Sequence, residues 1–128
     1  MFVTEAADVP AQELNLGGAR GSSIKWLIGP AQQAGNFSMR LVTVAPGGQT
    51  PDHAHAWEHQ WYVLSGRGEA SDGDGRKHPV GPGSVVFVPD GERHNIRNTG
   101  QQPLELICMI RCTPESVSGA PAAGKGCG

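Results

Sequence analysis

The sequence has little of what marks several specialised protein classes. Charged residues make up 17% of the chain and the net charge is −2, so no basic surface is expected for nucleic acid or anionic membranes. No apolar run approaches the roughly 20 residues that a membrane-spanning helix needs. The first residues, MFVTEAADVP, lack the basic and apolar regions of a secretory signal. These absences predict a cytoplasmic protein with no nucleic-acid partner and no membrane partner.

Cysteine is also sparse, with Cys108, Cys112 and Cys127 forming an odd set. A secreted disulfide framework normally contains more cysteines, in even number, so the three are interpreted as reduced thiols. A metal pair of Cys108 and Cys112 lacks further ligands, and on a strand their spacing exceeds the reach of one ion. Cys127 is interpreted as an exposed and incidental residue.

Regular helical patterning is almost absent, whereas glycine (19 residues) and proline (10 residues) are spread through the chain of 128 residues. Such punctuation is typical of short strands and tight turns, and 38% hydrophobic residues suffice for one core. The Asp-Gly pairs within 71–77 favour a hairpin turn. The pattern predicts an all-β sandwich or barrel. The predicted strands cover residues 24–28, 37–44 (ended by Pro46-Gly47-Gly48), 59–64, 85–88, 94–97 and 104–110.

Composition divides the chain into three predicted parts. Residues 1–20 are weakly patterned and are expected to form an N-terminal arm or edge strand. Residues 21–112 contain the predicted strands and form the barrel. Residues 113–128, TPESVSGAPAAGKGCG, have too little apolar surface to bury a core and are predicted to be a flexible, disordered C-terminal tail.

Four of the five histidines fall in two clusters. On an extended segment, His53 and His55 point to the same face, roughly 6.6 Å apart at Cα. His59 enters the next strand, and His94 begins another after a Pro-x-Gly turn. Four inward imidazoles without partners would each cost about 1–3 kcal/mol, a cost that one shared metal ion removes. The sequence therefore predicts a metal site of His53, His55, His59 and His94, and His78 is interpreted as a surface residue.

Two motifs covering 47–98 resemble the two motifs of the cupin superfamily. The first reads Gly47-x5-His53-x-His55-x3-His59-x6-Gly66, and the second reads Gly83-x5-Pro89-x-Gly91-x2-His94-x3-Asn98. The resemblance implies a single-domain cupin, that is, a double-stranded β-helix or jelly-roll barrel that holds one divalent metal ion per chain.

The first motif departs from the usual cupin pattern at one position. His59 stands where the family has a glutamate ligand, and Glu58 lies one residue earlier. An offset of one residue turns a strand side chain to the opposite face, so His59 is expected to be the ligand and Glu58 to point away. The segments NFSMRLVTVAPGG, HAWEH and LICMI are similar to small bacterial four-histidine cupins. That resemblance implies manganese and a homodimer, whereas imidazole ligands by themselves suit Fe, Ni, Cu or Zn.

Strand parity predicts part of the pocket wall. In 104–110 the face with Glu105 is expected to look outward, which places Leu106, Cys108 and Ile110 inside. Ile96 follows His94 by two residues and should share its face. Cys108 is either an inert core residue or a neighbour of the metal ion.

Three further pocket residues are suggested by their positions in the chain. Thr50 shortly precedes the first ligand and is expected at the entrance. Trp57 lies between two ligands and either gates the mouth or caps the barrel. Arg40 interrupts an apolar strand, either as a surface arginine with its charge in solvent or as a pocket cation that orients an anionic substrate.

The preferred function is a metal-dependent oxygenase of dioxygenase type that acts on a small organic substrate with dioxygen. Four protein ligands would leave open positions on an octahedral ion for such partners. One alternative is a non-oxidative isomerase, lyase or hydrolase of a sugar acid or carbonyl compound, in which the ion polarises a carbonyl group. Another is a metal-binding or metabolite-binding module without turnover. No residue is identified as a general base.

Overall fold

Nine strands account for most of the regular structure of residues 1–124, the part of the chain that this computed structural model describes. The all-β prediction is confirmed, and short 3-10 turns occur only at Ala6–Asp8 and Pro30–Gln32 in this part. No helix within 1–124 is long and apolar enough to cross a membrane. The strands are β1 (Gln12–Leu14), β2 (Arg20–Ile28), β3 (Phe37–Gln49), β4 (His59–Ser65), β5 (Gly68–Ser71), β6 (Lys77–Val80), β7 (Val85–Val88), β8 (Asn95–Asn98) and β9 (Leu104–Arg111).

The strands form one antiparallel sheet that curls around its apolar face. The order is β6-β5-β8-β3-β9-β4-β7, and β2 joins β3 and carries β1 at its edge. Val80 of β6 and Val88 of β7 belong to the same buried core cluster although their strands stand at opposite ends of this order. The two ends of the sheet therefore curve towards each other around a shared interior.

Strand β9 lies between β3 and β4, and its pairing aligns the interior side chains. Leu104, Leu106, Cys108 and Ile110 are each at most 2% exposed, so the predicted inward face of this strand is confirmed. Cys108 pairs with Arg40 on β3 and with Trp61 on β4. Because paired residues project to the same face, these three side chains lie next to one another inside the sheet.

Strand β3 extends past the predicted stop at Pro46-Gly47-Gly48 and ends at Gln49. Gly47 has φ +78°, and a Cβ on Gly48 would lie 2.7 Å from the Arg20 carbonyl oxygen. The glycines therefore form an irregularity in the pairing with β2 and do not end the strand. The longer strand reaches β8, where Gln49 pairs with Arg97, and so directs residues 50–55 along the mouth of the barrel.

The predicted hairpin turn joins β5 to β6. The Asp72 carboxylate accepts hydrogen bonds of 2.9 Å from the backbone N–H groups of Asp74 and Arg76, as an Asx turn does. The surface interpretation of His78 is confirmed, since its side chain is 59% exposed and its Nε2 lies 2.9 Å from an Asp72 carboxylate oxygen.

The segment after β9 differs from the expectation that it buries nothing. Within 113–124, Val117 and Ala120 are buried in a small cluster with Cys112 that packs against Trp26. A local hydrogen-bonded turn makes this possible, because the Ser116 hydroxyl accepts from the Thr113 N–H and donates to the Arg111 carbonyl. Small apolar residues thus pack against a partly buried tryptophan. The division into arm, barrel and tail stays a prediction.

The cysteines do not share one state. Cys108 is a buried free thiol, as expected. Cys112 is disulfide-bonded, so its interpretation as a reduced thiol is wrong. Sequence spacing does not show which cysteines approach each other in the fold. The interpretation of Cys127 as exposed and incidental lies outside the described residues.

Candidate metal centre

Backbone hydrogen bonds hold the segment with His53 and His55 against the segment that precedes β8. The His53 N–H donates to the His94 carbonyl at 3.2 Å, and the His94 N–H donates back to His53 at 2.9 Å. On either side, the Thr50 N–H donates to Ile96 and the Gly91 N–H donates to His55, each at 2.9 Å. The relative positions of three histidines are therefore set by main-chain pairing.

The structure brings the four predicted histidines into one cluster. Ring nitrogens of His53, His55 and His94 all lie within 4.8 Å of one another, close enough for a single ion. His59 stands beside this trio, with its Nε2 2.9 Å from the Nε2 of His55. Its ring centroid is 4.7 Å from those of both His55 and His94. This group of four rings is called the histidine cluster below.

At the start of β4, the side chains of His59 and Glu58 point to opposite faces of the strand, as expected. The side chain of His59 is buried and 6% exposed, whereas Glu58 is exposed on the outside. Glu58 therefore does not enter the interior, and His59 is the residue at this motif position that reaches the cluster.

A hydrogen bond orients the ring of His94. Its Nδ1 lies 2.8 Å from the Glu92 carbonyl oxygen, which only accepts, so Nδ1 carries the proton. The neutral ring then has its lone pair on Nε2. Metal-binding histidines usually donate their other ring N–H to a carbonyl or carboxylate in this way.

The tautomer of His59 depends on two buried neighbours. Its Nδ1 lies 3.0 Å from the Cys108 sulfur and 3.3 Å from Nη2 of Arg40. If Nδ1 accepts from either group, the neutral ring carries its proton on Nε2 and points it at His55. If Nδ1 donates to the sulfur, Nε2 has a free lone pair and is a metal ligand. The hydrogen bonds among His59, Cys108 and Arg40 thus decide whether three or four imidazoles offer a lone pair to the centre.

Burial keeps the histidine cluster uncharged near neutral pH. Desolvation lowers the pKa of His53, of His94 and of His55, the last to about 4, with mutual repulsion as a further cause at His53 and His55. Desolvation, followed by the Arg40 charge, lowers the pKa of His59 even further. Metal ligands must be deprotonated, so this neutral donor set fits a divalent metal ion.

The histidine cluster forms one wall of a cavity of about 130 Å³. Six of the seven predicted pocket residues line it, whereas Ile110 is buried in the core and does not. Ile110 has the predicted parity but lies further along β9, so parity alone could not place it. The six are Arg40, Thr50, Trp57, Ile96, Leu106 and Cys108.

Five lining residues were missed by sequence reasoning. Val42 follows Arg40 by two residues, and Trp61 follows His59 by two, so the parity rule could have found both. Leu14 and Ile24 lie on β1 and β2, whose packing the sequence does not show, and Pro51 lies next to Thr50 in the segment after β3.

The structure shows the contacts of two residues whose roles the sequence left open. Arg40 is 9% exposed, so its interpretation as a surface arginine is wrong; it lies under the Trp26 ring at 5.1 Å and donates to the Cys108 sulfur at 2.7 Å. Trp57 stacks on His55 with ring centroids 4.0 Å apart and an interplanar angle of 11°. The tryptophan thereby holds one ring of the cluster in place at the mouth.

A second, larger cleft of about 410 Å³ lies where β6 and β7 face each other across the open side of the sheet. Trp61 and His94 line both spaces and form the partition between them. The remaining wall of this cleft is mostly strand residues, among them the exposed His78.

The curled antiparallel sheet with an interior histidine cluster defines a class of small barrel proteins able to hold a metal ion. Residues 40–110 match the family described as the cupin domain, which is more than half of the chain. The chain therefore belongs to the cupin family, and its predicted architecture, a single-domain jelly-roll cupin, is confirmed.

Several relatives share much of the chain. The oxalate-binding protein of Thermotoga maritima is 30% identical over 115 residues, 86% of this chain and 93% of that protein. The solved structure of the polyketide cyclase RemF from Streptomyces resistomycificus has a TM-score of 0.82 at 33% identity, covering 88% of this chain and 80% of that one. Auxin-binding protein 1 of Arabidopsis thaliana is 30% identical over 82 residues, and the chain spans 41% of its length. The relatives thus include an enzyme and proteins named for binding.

Proposed function

We propose that this protein is a metal-dependent enzyme that acts on a small organic carbonyl compound. The observation that carries the proposal is the histidine cluster, which faces a cavity whose other walls are largely apolar. Concave, mostly apolar sites with a few convergent polar groups are typical of small-molecule sites.

The metal ion is proposed to bind His53, His55 and His94, with His59 as the fourth ligand when Cys108 accepts its Nδ1 proton. The resemblance to four-histidine cupins favours manganese, and the imidazole donors also suit Fe, Ni, Cu and Zn. A bound divalent cation would polarise a carbonyl oxygen and so increase the acidity of the neighbouring C–H group.

The side chains around the cluster would select and shield such a substrate. Ile24, Val42 and Leu106 form an apolar wall that excludes water from the carbonyl compound. No Asp or Glu lines the cavity among the described residues. A proton removed from the substrate would therefore pass to solvent at the mouth near Thr50, or to a ring nitrogen that holds no metal.

A non-oxidative reaction of the enolisation or cyclisation type is the first candidate. Support comes from the polyketide cyclase RemF, whose sequence identity of 33% extends over 88% of this chain. The dioxygenase-type oxidoreductase is the second candidate. It is favoured by the apolar lining, which admits dioxygen, and by histidine donors that suit iron.

One experiment separates the two candidates. Protein loaded with one equivalent of Mn, Fe or Zn is incubated with acetylacetone in D2O, with parallel measurement of deuterium incorporation by NMR and of oxygen by electrode. Metal-dependent deuterium exchange without oxygen uptake supports the enolising enzyme, with the His53→Ala variant as the inactive control. Substrate-dependent oxygen uptake instead establishes the oxygenase. Neither signal with any of the three metals, also when acetoacetate replaces acetylacetone, contradicts the proposal.

We further propose that the protein is located in the cytoplasm and that it is a homodimer, the latter as the four-histidine resemblance implies. Tyr62, Val85 and Phe87 are 51%, 76% and 58% exposed and lie together on the outer face of β4 and β7. A second copy of this chain would cover this apolar face. Sedimentation equilibrium should show a dimer that Phe87→Glu dissociates, whereas Leu16→Glu, at another exposed apolar residue, should not. A monomeric wild-type protein would refute the dimer.

A further inference from the structure

Arg40 is a buried cation that has no carboxylate partner. Its side chain is 9% exposed, and the ion pairs among the described residues, His78–Asp72 and Arg93–Asp52, do not include it. Burying an unpaired charge costs far more free energy than burying a neutral polar group. A guanidinium retained in such a place needs a counter-charge that the described residues do not supply.

The guanidinium of Arg40 also has an N–H donor that makes no hydrogen bond to the described residues. Nη2 donates to the Cys108 sulfur at 2.7 Å and lies 3.3 Å from Nδ1 of His59. The buried Nε has no hydrogen-bond partner within residues 1–124. Arg40 therefore has an unsatisfied buried N–H donor on a side chain that lines the cavity, and a charge-assisted hydrogen bond to an anion would satisfy it.

Among the described residues, the charged side chain in the cavity wall is a cation. The wall contains Arg40, neutral histidines, Thr50, Cys108 and apolar residues, with no acidic side chain among the described ones. A divalent ion on the histidine cluster would add two positive charges beside the guanidinium. Because both charges act across a low-dielectric interior, they favour the same kind of occupant, a negatively charged one.

We propose that Arg40 binds the anionic group, a carboxylate or enolate, of a substrate whose apolar body packs on Ile24, Val42 and Leu106. The inference rests on the proposed function and assigns the substrate class of the same site. Arg40 acts as a substrate-binding residue, since its guanidinium contacts the anion. A neutral carbonyl compound of similar shape would lack the interaction between the guanidinium and an anionic group.

The test measures anion binding without catalysis. Benzoate and its neutral analogue benzamide are titrated by calorimetry into metal-free protein and into protein loaded with Zn. We expect benzoate to bind both forms, and Arg40→Met to weaken its binding at least tenfold while benzamide binding is unchanged. Arg93→Met removes an exposed arginine outside the cavity wall and should retain benzoate binding within threefold.

A second measurement uses the unaltered chain, so that a variant that fails to fold does not decide the result. The NMR signal of the Arg40 Nε–H, assigned by its absence from Arg40→Lys, should shift on addition of benzoate and not of benzamide. No binding of benzoate to either form, or equal binding by Arg40→Met, would overturn the inference. Because the metal-free arm needs neither metal nor turnover, failure here is distinct from failure of the proposed enzyme activity.

Discussion

His53 and His94 form an isolated antiparallel bridge in which each main chain donates a hydrogen bond to the other, at 3.2 Å and 2.9 Å. Their imidazole rings consequently lie side by side, with centroids 5.0 Å apart. Two motifs that are distant in sequence are joined at this bridge by main-chain hydrogen bonds. Main-chain pairing therefore fixes the positions of these two rings relative to each other.

His59 is predicted to contribute to metal binding and Glu58 is not. His59→Ala should weaken metal affinity at least tenfold, because it removes a buried ring 2.9 Å from a ligand nitrogen of His55. Glu58→Ala changes an exposed side chain and should leave affinity unchanged. Competition with a chromophoric chelator measures both. The reverse pattern would show that the first motif is assigned wrongly.

Cys108 is predicted to tune metal affinity through His59. If its sulfur accepts the Nδ1 proton of His59 across 3.0 Å, Cys108→Ala removes the acceptor and should reduce metal affinity about 10-fold to 100-fold. Cys108→Ser keeps an acceptor of smaller size and should reduce it less. The same chelator competition measures this difference. Equal affinities for the wild type and both variants would mean that the trio of His53, His55 and His94 binds the metal without His59.

Acid is predicted to destabilise the metal-free protein and to empty the metal site. Unfolded histidines titrate near pH 6.5, whereas burial lowers the pKa of His55 to about 4 and that of the other cluster histidines as well. Between these values the unfolded chain binds more protons, so the free energy of unfolding falls as pH drops below about 6.5. Protons compete with the metal where the folded ligands titrate, so metal occupancy should fall at a pH below the ordinary histidine value, near pH 4 for His55.

Urea unfolding of metal-free protein at pH 7, 6 and 5 measures the first effect, and elemental analysis after dialysis against chelator measures the second. His55→Gln should reduce the slope of stability against pH. The exposed His78→Gln is the matched control and should retain the wild-type slope. A stability that does not change between pH 7 and 5 would contradict the neutral, buried state of the cluster.

Gly66 is predicted to tolerate no side chain, in contrast to Gly75. Both have positive φ, +82° and +80°, so alanine strains the backbone at either site by about 1–2 kcal/mol. A Cβ at Gly66 would also collide with the Pro103 carbonyl oxygen and lie 2.6 Å from the Leu104 Cα, whereas Gly75 has open space. Gly66→Ala should therefore lose about 1–3 kcal/mol more stability than Gly75→Ala. Denaturant midpoints of the two variants test this, and equal losses would show that the contact relaxes freely.

Local sequence patterns determined which faces of the strands point inward and which histidines share a face. Alternation along 104–110 set which side chains of β9 face inward, and the spacing of His53 and His55 set two rings on one face. Glycine and proline punctuation marked most of the strand ends. The prediction that Gly47 and Gly48 end their strand was wrong. In the sequence, a glycine that ends a strand cannot be told from one that lets two backbones approach closely.

The remaining features depend on contacts between distant strands. The pairing of β9 with β3 and β4 brings Arg40, Cys108 and His59 together, and the packing of 113–124 on Trp26 buries Val117. The sequence by itself determined the all-β class, the inward faces of the strands and the histidine motifs, since strand parity and turn chemistry are local properties. Only the tertiary structure decided the burial of Arg40 and its lack of a counter-charge, because cross-strand register and the charge of a cavity are properties of residues far apart in the chain.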